Sequence, residues 1–265
     1  MPVVARVLRN PPLGRWRSRL TMRDVLLAHW PVNVELLRPH VPLALDTFAG
    51  QAWVSVVLFD VSGARGYLLP PLPGLNVYAE LQVRTYVTVG KKAGIWLISA
   101  DATQPLVVLA GRWRHGLPYQ HARATLGNRG TTFFYHTMRQ HDGAARVQVA
   151  AHYTPGGPLG AVESGSLSEF LLERYYFYAL GRHGELLRTE VNHRPWPVQE
   201  TSARIAMMNL LPAGLRLPPV PPHLHYCPSL DVRIWPASPV REPSGESPQP
   251  QRKRAPGRDA ERPTP

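Results

Sequence analysis

A chain of 265 residues, 44% hydrophobic and 18% charged, is long enough to bury one sizeable core, yet no stretch nears the ~18 apolar residues that span a bilayer. Its net charge of +12 divides into +6 on residues 1–23, +2 on residues 241–265 and +4 between them, so the body carries no nucleic-acid footprint. A single cysteine, Cys227, excludes an internal disulfide, and with Lys91, Lys92 and Lys253 as the only lysines Schiff-base chemistry is not expected.

In chain order, Arg6, Arg9, Arg15, Arg17 and Arg19 are broken by Pro2, Pro11 and Pro12 with no apolar h-region or small-residue cleavage site behind them, which predicts a flexible basic arm over 1–19 of a cytoplasmic protein rather than a leader. A short helix is expected over 34–38 after Asn33, then strands over 51–61, 77–87 and 94–100 and a short helix over 105–111. Strands follow over 131–139 and 146–153. Ser166-Leu167-Ser168-Glu169 has the form of a capping box, with Leu167, Phe170 and Leu171 on one helical face. Strands over 175–180 and 185–192 come next, and 230–234 alternates like a final strand. Gly- and Pro-bearing turns separate these runs, which argues for a mainly β barrel or sandwich with a few short helices. From Pro236 to Pro265 eight prolines sit among charged and small polar residues, the composition of a disordered tail. One domain over 20–235 remains.

Three constellations could carry chemistry. In the 77–87 strand one face is Val77, Ala79, Leu81, Val83, Thr85 and Val87, and the other is Tyr78, Glu80, Gln82, Arg84 and Tyr86. Glu80 and Arg84 lie about 13 Å apart along the strand. That face either lines a polar cavity or is a solvated surface. His223, His225 and Cys227 project alternately and could offer metal ligands, but no second cluster supports them, and packed side chains are the simpler reading; no metal or cofactor is expected. His193-Arg194-Pro195-Trp196 combines an imidazole, a guanidinium and an indole on an extended segment, suited either to binding an anion or to forming a structural corner. Glu163, Glu169 and Glu173 read as parts of one capped segment. No nucleophile elbow accompanies any serine.

Leu26-Leu27-Ala28-His29-Trp30-Pro31, the strand from Glu80 to Val87, Phe170-Leu171-Leu172-Glu173-Arg174-Tyr175, His193-Arg194-Pro195-Trp196-Pro197 and Leu230-Asp231-Val232-Arg233-Ile234-Trp235 together resemble the YqjF-like bacterial family of unknown function over roughly 20–236. That resemblance implies an acetoacetate decarboxylase-like β-barrel or cone around a small cavity, in a homo-oligomer, and it turns the Glu80 and Arg84 face inward. The decarboxylase lysine belongs to a motif of the form Gly-Arg-Glu, four residues, Pro-Lys-Lys. In the comparable stretch here Gly111, Arg112 and Pro118 keep their places, while Trp113 replaces the acid and Tyr119-Gln120 replaces the lysine pair. Glu80 is similar to the decarboxylase's cavity glutamate. Lys91-Lys92 reads as a solvated hairpin turn.

The expectation is therefore a small-molecule binding domain without Schiff-base activity. Its ligand is a small organic anion held by Arg84 and Arg112, with Tyr78, Glu80, Tyr119, His193 and Arg194 contributing. The alternative is a lyase, isomerase or hydrolase using Glu80 as base and Tyr119 or His115 as acid.

Overall fold

The computed structural model describes residues 10–140 and 146–240. Among them the strands are β1 (Ser18–Val32), β2 (Ala44–Leu45), β3 (Ala52–Gly66), β4 (Tyr78–Val89), β5 (Lys92–Ala102), β6 (Tyr119–Arg129), β7 (Thr132–Arg139), β8 (Gln148–Ala161), β9 (Tyr176–Leu180), β10 (Leu186–Asn192), β11 (Pro197–Met208), β12 (His223–Ile234) and β13 (Ser238–Pro239). The helices are α1 (Val34–Leu37), α2 (Pro105–His115) and α3 (Leu167–Leu172), with a 3-10 turn over Arg38–His40. No described helix is long and apolar enough to cross a membrane.

Hydrogen-bonded neighbours run β13-β10-β9-β5-β6-β7-β8-β11-β12-β1-β3-β4-β2, and additional pairings of β10 with β12 and of β4 with β5 close this order on itself. Two circuits of strands result. One joins β1, β3, β4, β5, β9, β10 and β12; the other leaves β5 through β6, β7, β8 and β11 and rejoins at β12. They share the panel β12-β1-β3-β4-β5.

This shared panel explains why β4 is buried on both faces. Ala79, Leu81, Val83 and Val87 join a core cluster that includes Leu26, Ala28, Val56, Val149, Ala151 and Tyr153. The alternate residues Tyr78 and Tyr86 join a second cluster with Val25, Leu27, Val57, Phe59, Ile95 and Leu97. Period-two alternation thus sorts the panel's side chains into two cores.

Local chemistry sets the helix ends. Asn33 accepts from the Glu35 N–H and starts α1, while Ser166 accepts from the Glu169 N–H and starts α3. The Glu169 carboxylate reaches back one residue further than a capping box requires, to the Gly165 N–H at 2.6 Å. Pro105 opens α2, and Gly116, at φ 64°, closes it in the left-handed region. Gly90, at φ 58°, and Lys91 make the hairpin between β4 and β5, with Lys91 and Lys92 exposed as expected.

Other boundaries differ from expectation. β1, β6 and β11 were not foreseen, and β8 and β12 run well beyond the expected 146–153 and 230–234. The arm was expected to reach residue 19, but Trp16 packs edge-on against Tyr67 at 5.0 Å and Ser18 already begins β1. Likewise the segment after Trp235 is held through residue 240, by β13 on β10 and by the Val240 N–H donating to the Leu186 carbonyl. The remainder of both expected segments, 1–9 and 241–265, lies outside the described residues.

Candidate functional site

The circuit built from β1, β3, β4, β5, β9, β10 and β12 encloses a cavity of about 380 Å³. Strand register orders its lining. Ser18 pairs with both Gly66 and Ile234 at the mouth, Met22 pairs with Val61 and Leu230 further in, and Arg84, opposite Ser55, is the deepest lining residue of β4.

Midway down, the Tyr119 O–H donates to Glu80 Oε1 at 2.6 Å and Gln82 Nε2 donates to the same oxygen at 2.7 Å. Burial raises the Glu80 carboxyl to about 7, opposed by those two hydrogen bonds and assisted by Asp101. Burial, then the Glu80 charge, keeps the Tyr119 phenol neutral. α2 lies directly over this pair. A Cβ on Gly111 would come 2.4 Å from the Tyr119 ring, so glycine is what lets the helix approach.

At the deep end Arg84 is 3% exposed, and its Nε and Nη2 have no hydrogen-bond partner among the described residues. Arg174, which the sequence reading did not single out, also lines this end but is paired with protein groups. Its Nε donates to the Phe170 carbonyl, its Nη1 to Asp46 at 2.6 Å, and its guanidinium lies over Phe170 at 4.3 Å. His193 completes the floor, stacked on Tyr175 at 4.6 Å and held neutral by burial.

Tyr78, Glu80, Arg84, His115, Tyr119 and His193 therefore line one cavity. Arg112 and Arg194 do not, and this corrects the expectation for both. On α2 the residues facing the cavity are Val107, Ala110, Gly111 and His115, one helical face that leaves Arg112 turned away to an exposed position. Arg194 follows His193 on extended chain, where neighbours point oppositely, and is exposed. His115 sits toward the rim, its Nδ1 3.1 Å from Thr189 Oγ1. Among the described residues no lysine lines the cavity.

A second polar group lies beyond Arg84 and was invisible to local reading. The Tyr86 O–H donates to the Leu171 carbonyl at 3.0 Å, and Ser55 Oγ is 2.6 Å from Tyr86 Oη, so Ser55 is the donor there. His29 Nδ1 must then donate to Ser55 (2.6 Å), His225 Nδ1 to His29 Nε2 (3.2 Å), and Ser168 to His225 Nε2 (2.9 Å). One terminal carbonyl thus sets every donor in the row. The row places His225 and His29 side by side as neutral rings. Cys227, by contrast, is a core thiol pushed up to about 12 by burial. Among the described residues no group of three His, Cys, Asp or Glu could hold a metal ion.

Solved structures with this architecture define the class. Acetoacetate decarboxylase from Legionella pneumophila superposes with a TM-score of 0.60 at 15% identity, over 88% of this chain and 92% of that one. An acetoacetate decarboxylase-like enzyme from Sphingomonas wittichii gives 0.60 at 15% identity over 88% and 98%, and the enduracididine biosynthesis enzyme MppR, complexed with pyruvate, gives 0.61 at 15% over 90% and 94%. The fold is acetoacetate decarboxylase-like. Within it the chain belongs to the domain-of-unknown-function family numbered 2071, described as an uncharacterized conserved protein, which it matches over residues 19–231. It is 40% identical over 228 residues to the uncharacterized protein YqjF of Bacillus subtilis, covering 85% of this chain and 93% of YqjF.

Proposed function

We propose that the chain binds a small organic anion in this cavity, with Arg84 as its anchor. One observation carries the reading: a buried guanidinium faces the cavity with two donors unpartnered among the described residues. Leaving such a charge without a counter-ion costs several kcal/mol, and a carboxylate on its free edge offsets that cost through charge-assisted hydrogen bonds. Glu80 supports it, since a carboxyl that is about half protonated near pH 7 donates a hydrogen bond to a ligand oxygen instead of repelling an anion. MppR, of the same fold, is complexed with pyruvate, an organic anion. In calorimetry against short monocarboxylates and oxo acids, Arg84→Met is expected to weaken binding about 100-fold and Arg84→Lys less. Unchanged affinity in Arg84→Met, or no binding by the unaltered chain, overturns the reading.

A second reading, acid–base catalysis on the bound anion, is favoured by the near-neutral carboxyl of Glu80 beside the Tyr119 phenol. Tyr119 cannot condense with a carbonyl, so the chemistry would be proton transfer by Glu80. Turnover on a panel of keto acids, hydroxy acids and esters is then expected to titrate near pH 7 and to fall at least 100-fold in Glu80→Gln with binding retained. A panel without turnover, or a Glu80→Gln variant as active as the original, excludes it.

A further inference from the structure

The cavity is not a small polar pocket. From Tyr78 to Arg84 its lining follows six residues of β4, about 20 Å of strand, or about 15 Å of depth at a barrel strand's usual tilt. The space along that depth and up to the mouth is about 380 Å³. At a water's share of about 30 Å³ each, the space takes on the order of a dozen non-hydrogen atoms.

Arg84, Gln82 and Glu80 with Tyr119 make its floor and middle polar, and Ser18, Arg19, Arg65, His115 and Thr189 line it nearer the mouth, beside an apolar wall of Leu20, Met22, Leu230, Val232 and Ile234. The apolar lining continues past the mouth. Leu69, Leu72 and Leu75, on the connection from β3 to β4, line the cavity while remaining 56%, 50% and 38% exposed. Leucines kept half in water at a cavity's lip leave apolar surface for something to cover.

We infer that the ligand class is an amphipathic monocarboxylate of about eight to ten carbons, its head on Arg84 and its alkyl or aryl-alkyl tail running up the shaft to the Leu69, Leu72 and Leu75 lip. This rests on the anion-binding reading above and narrows it. A two- to four-carbon acid satisfies Arg84 but leaves the shaft's apolar wall uncovered. A chain of about ten carbons fills it, and each methylene added up to that length is expected to tighten binding about fourfold.

Calorimetry of the full chain with straight-chain saturated acids, from acetate to dodecanoate, tests this. The dissociation constant is expected to fall stepwise to about decanoate and then level as the tail passes the lip. Replacing Leu69 and Leu72 together by Ser is expected to weaken decanoate about tenfold more than butyrate, a difference a general loss of stability would not produce. If acetate and butyrate bind as tightly as decanoate, and Arg84→Met abolishes both, the anion site stands and the apolar-tail class falls. If decanol binds as tightly as decanoate, or Arg84→Met leaves decanoate unaffected, the carboxylate anchor falls and this inference with it.

Discussion

Acidification from pH 6.5 to 4.0 is expected to remove several kcal/mol from the stability of this domain, read by chemical denaturation at a series of pH values. His29 is 0% exposed and His225 6%. Burial is the first cause that lowers both, His225 to about 3 and His29 well below its ordinary value; His225, then Arg84, then His223 add to it at His29, and His223 adds to it at His225. In the unfolded chain each takes a proton below about pH 6.5, but the folded chain refuses both until far lower. The donor order explains the refusal. With Tyr86, Ser55, His29 and His225 all donating in one direction, a second N–H on His29 would point at the N–H of His225.

Two such protons cost about 2.7 kcal/mol per pH unit. Glu80 opposes them, because its folded value of about 7 lies above the unfolded one of 4.5; between those limits the folded state holds the extra proton and gains as pH falls. That restores about 2–3 kcal/mol over the window. Hence Glu80→Gln is expected to deepen the acid loss by about 2–3 kcal/mol, and His225→Gln to lessen it. A stability that stays level from pH 6.5 to 4.0 in all three proteins contradicts the assignment.

Replacing Asp101 with Ala is expected to cost 3–5 kcal/mol, measured by the same denaturation at pH 7. The Asp101 side chain is 1% exposed and that of Arg139 10%, and the guanidinium meets the carboxylate through two contacts, Nε at 2.7 Å and Nη2 at 3.2 Å. This pair ties β5, at the edge of the shared panel, to β7 on the far side of the second circuit. Removing the acid strands a cation in that core. A double variant, Asp101→Leu with Arg139→Met, is expected to recover most of the loss, since neither desolvated charge then remains. A cost under about 1 kcal/mol for Asp101→Ala would mean that the pair is solvated in solution.

The sequence signalled the class of fold through its strands of period two, most clearly in β4, and the caps at Asn33 and Ser166 marked two helix starts. β1 escaped because Val25–Ala28 is buried continuously on both sides of the shared panel, and a strand without a wet face shows no alternation. β11 escaped for the opposite reason: its inward positions include Thr201 and Ala203, too small or polar to stand out. At the site, alternation and the family resemblance brought Tyr78, Glu80, Arg84 and Tyr119 into view. Arg112 was misplaced although the four-residue spacing of Gly111 and His115 was readable. The isolation of Arg84 and the pairing of Arg174 depend on what β10, β12 and α3 fail or manage to bring near, and no local pattern carries that. The same holds for His29 and His225, which meet across 196 positions.

β12 pairs with β1 along most of its length, with β10 at two positions and with β11 at one. It is therefore the clasp of both circuits, and it is also nearly the last strand among the described residues. During synthesis β1 waits, one edge unpaired, until residues 223–234 have emerged, by which time everything between them is already made. Neither core is shut before then, so a chain ending short of His223 lacks both, and the apolar flanks of β1 are what a chaperone would meet first on a stalled ribosome.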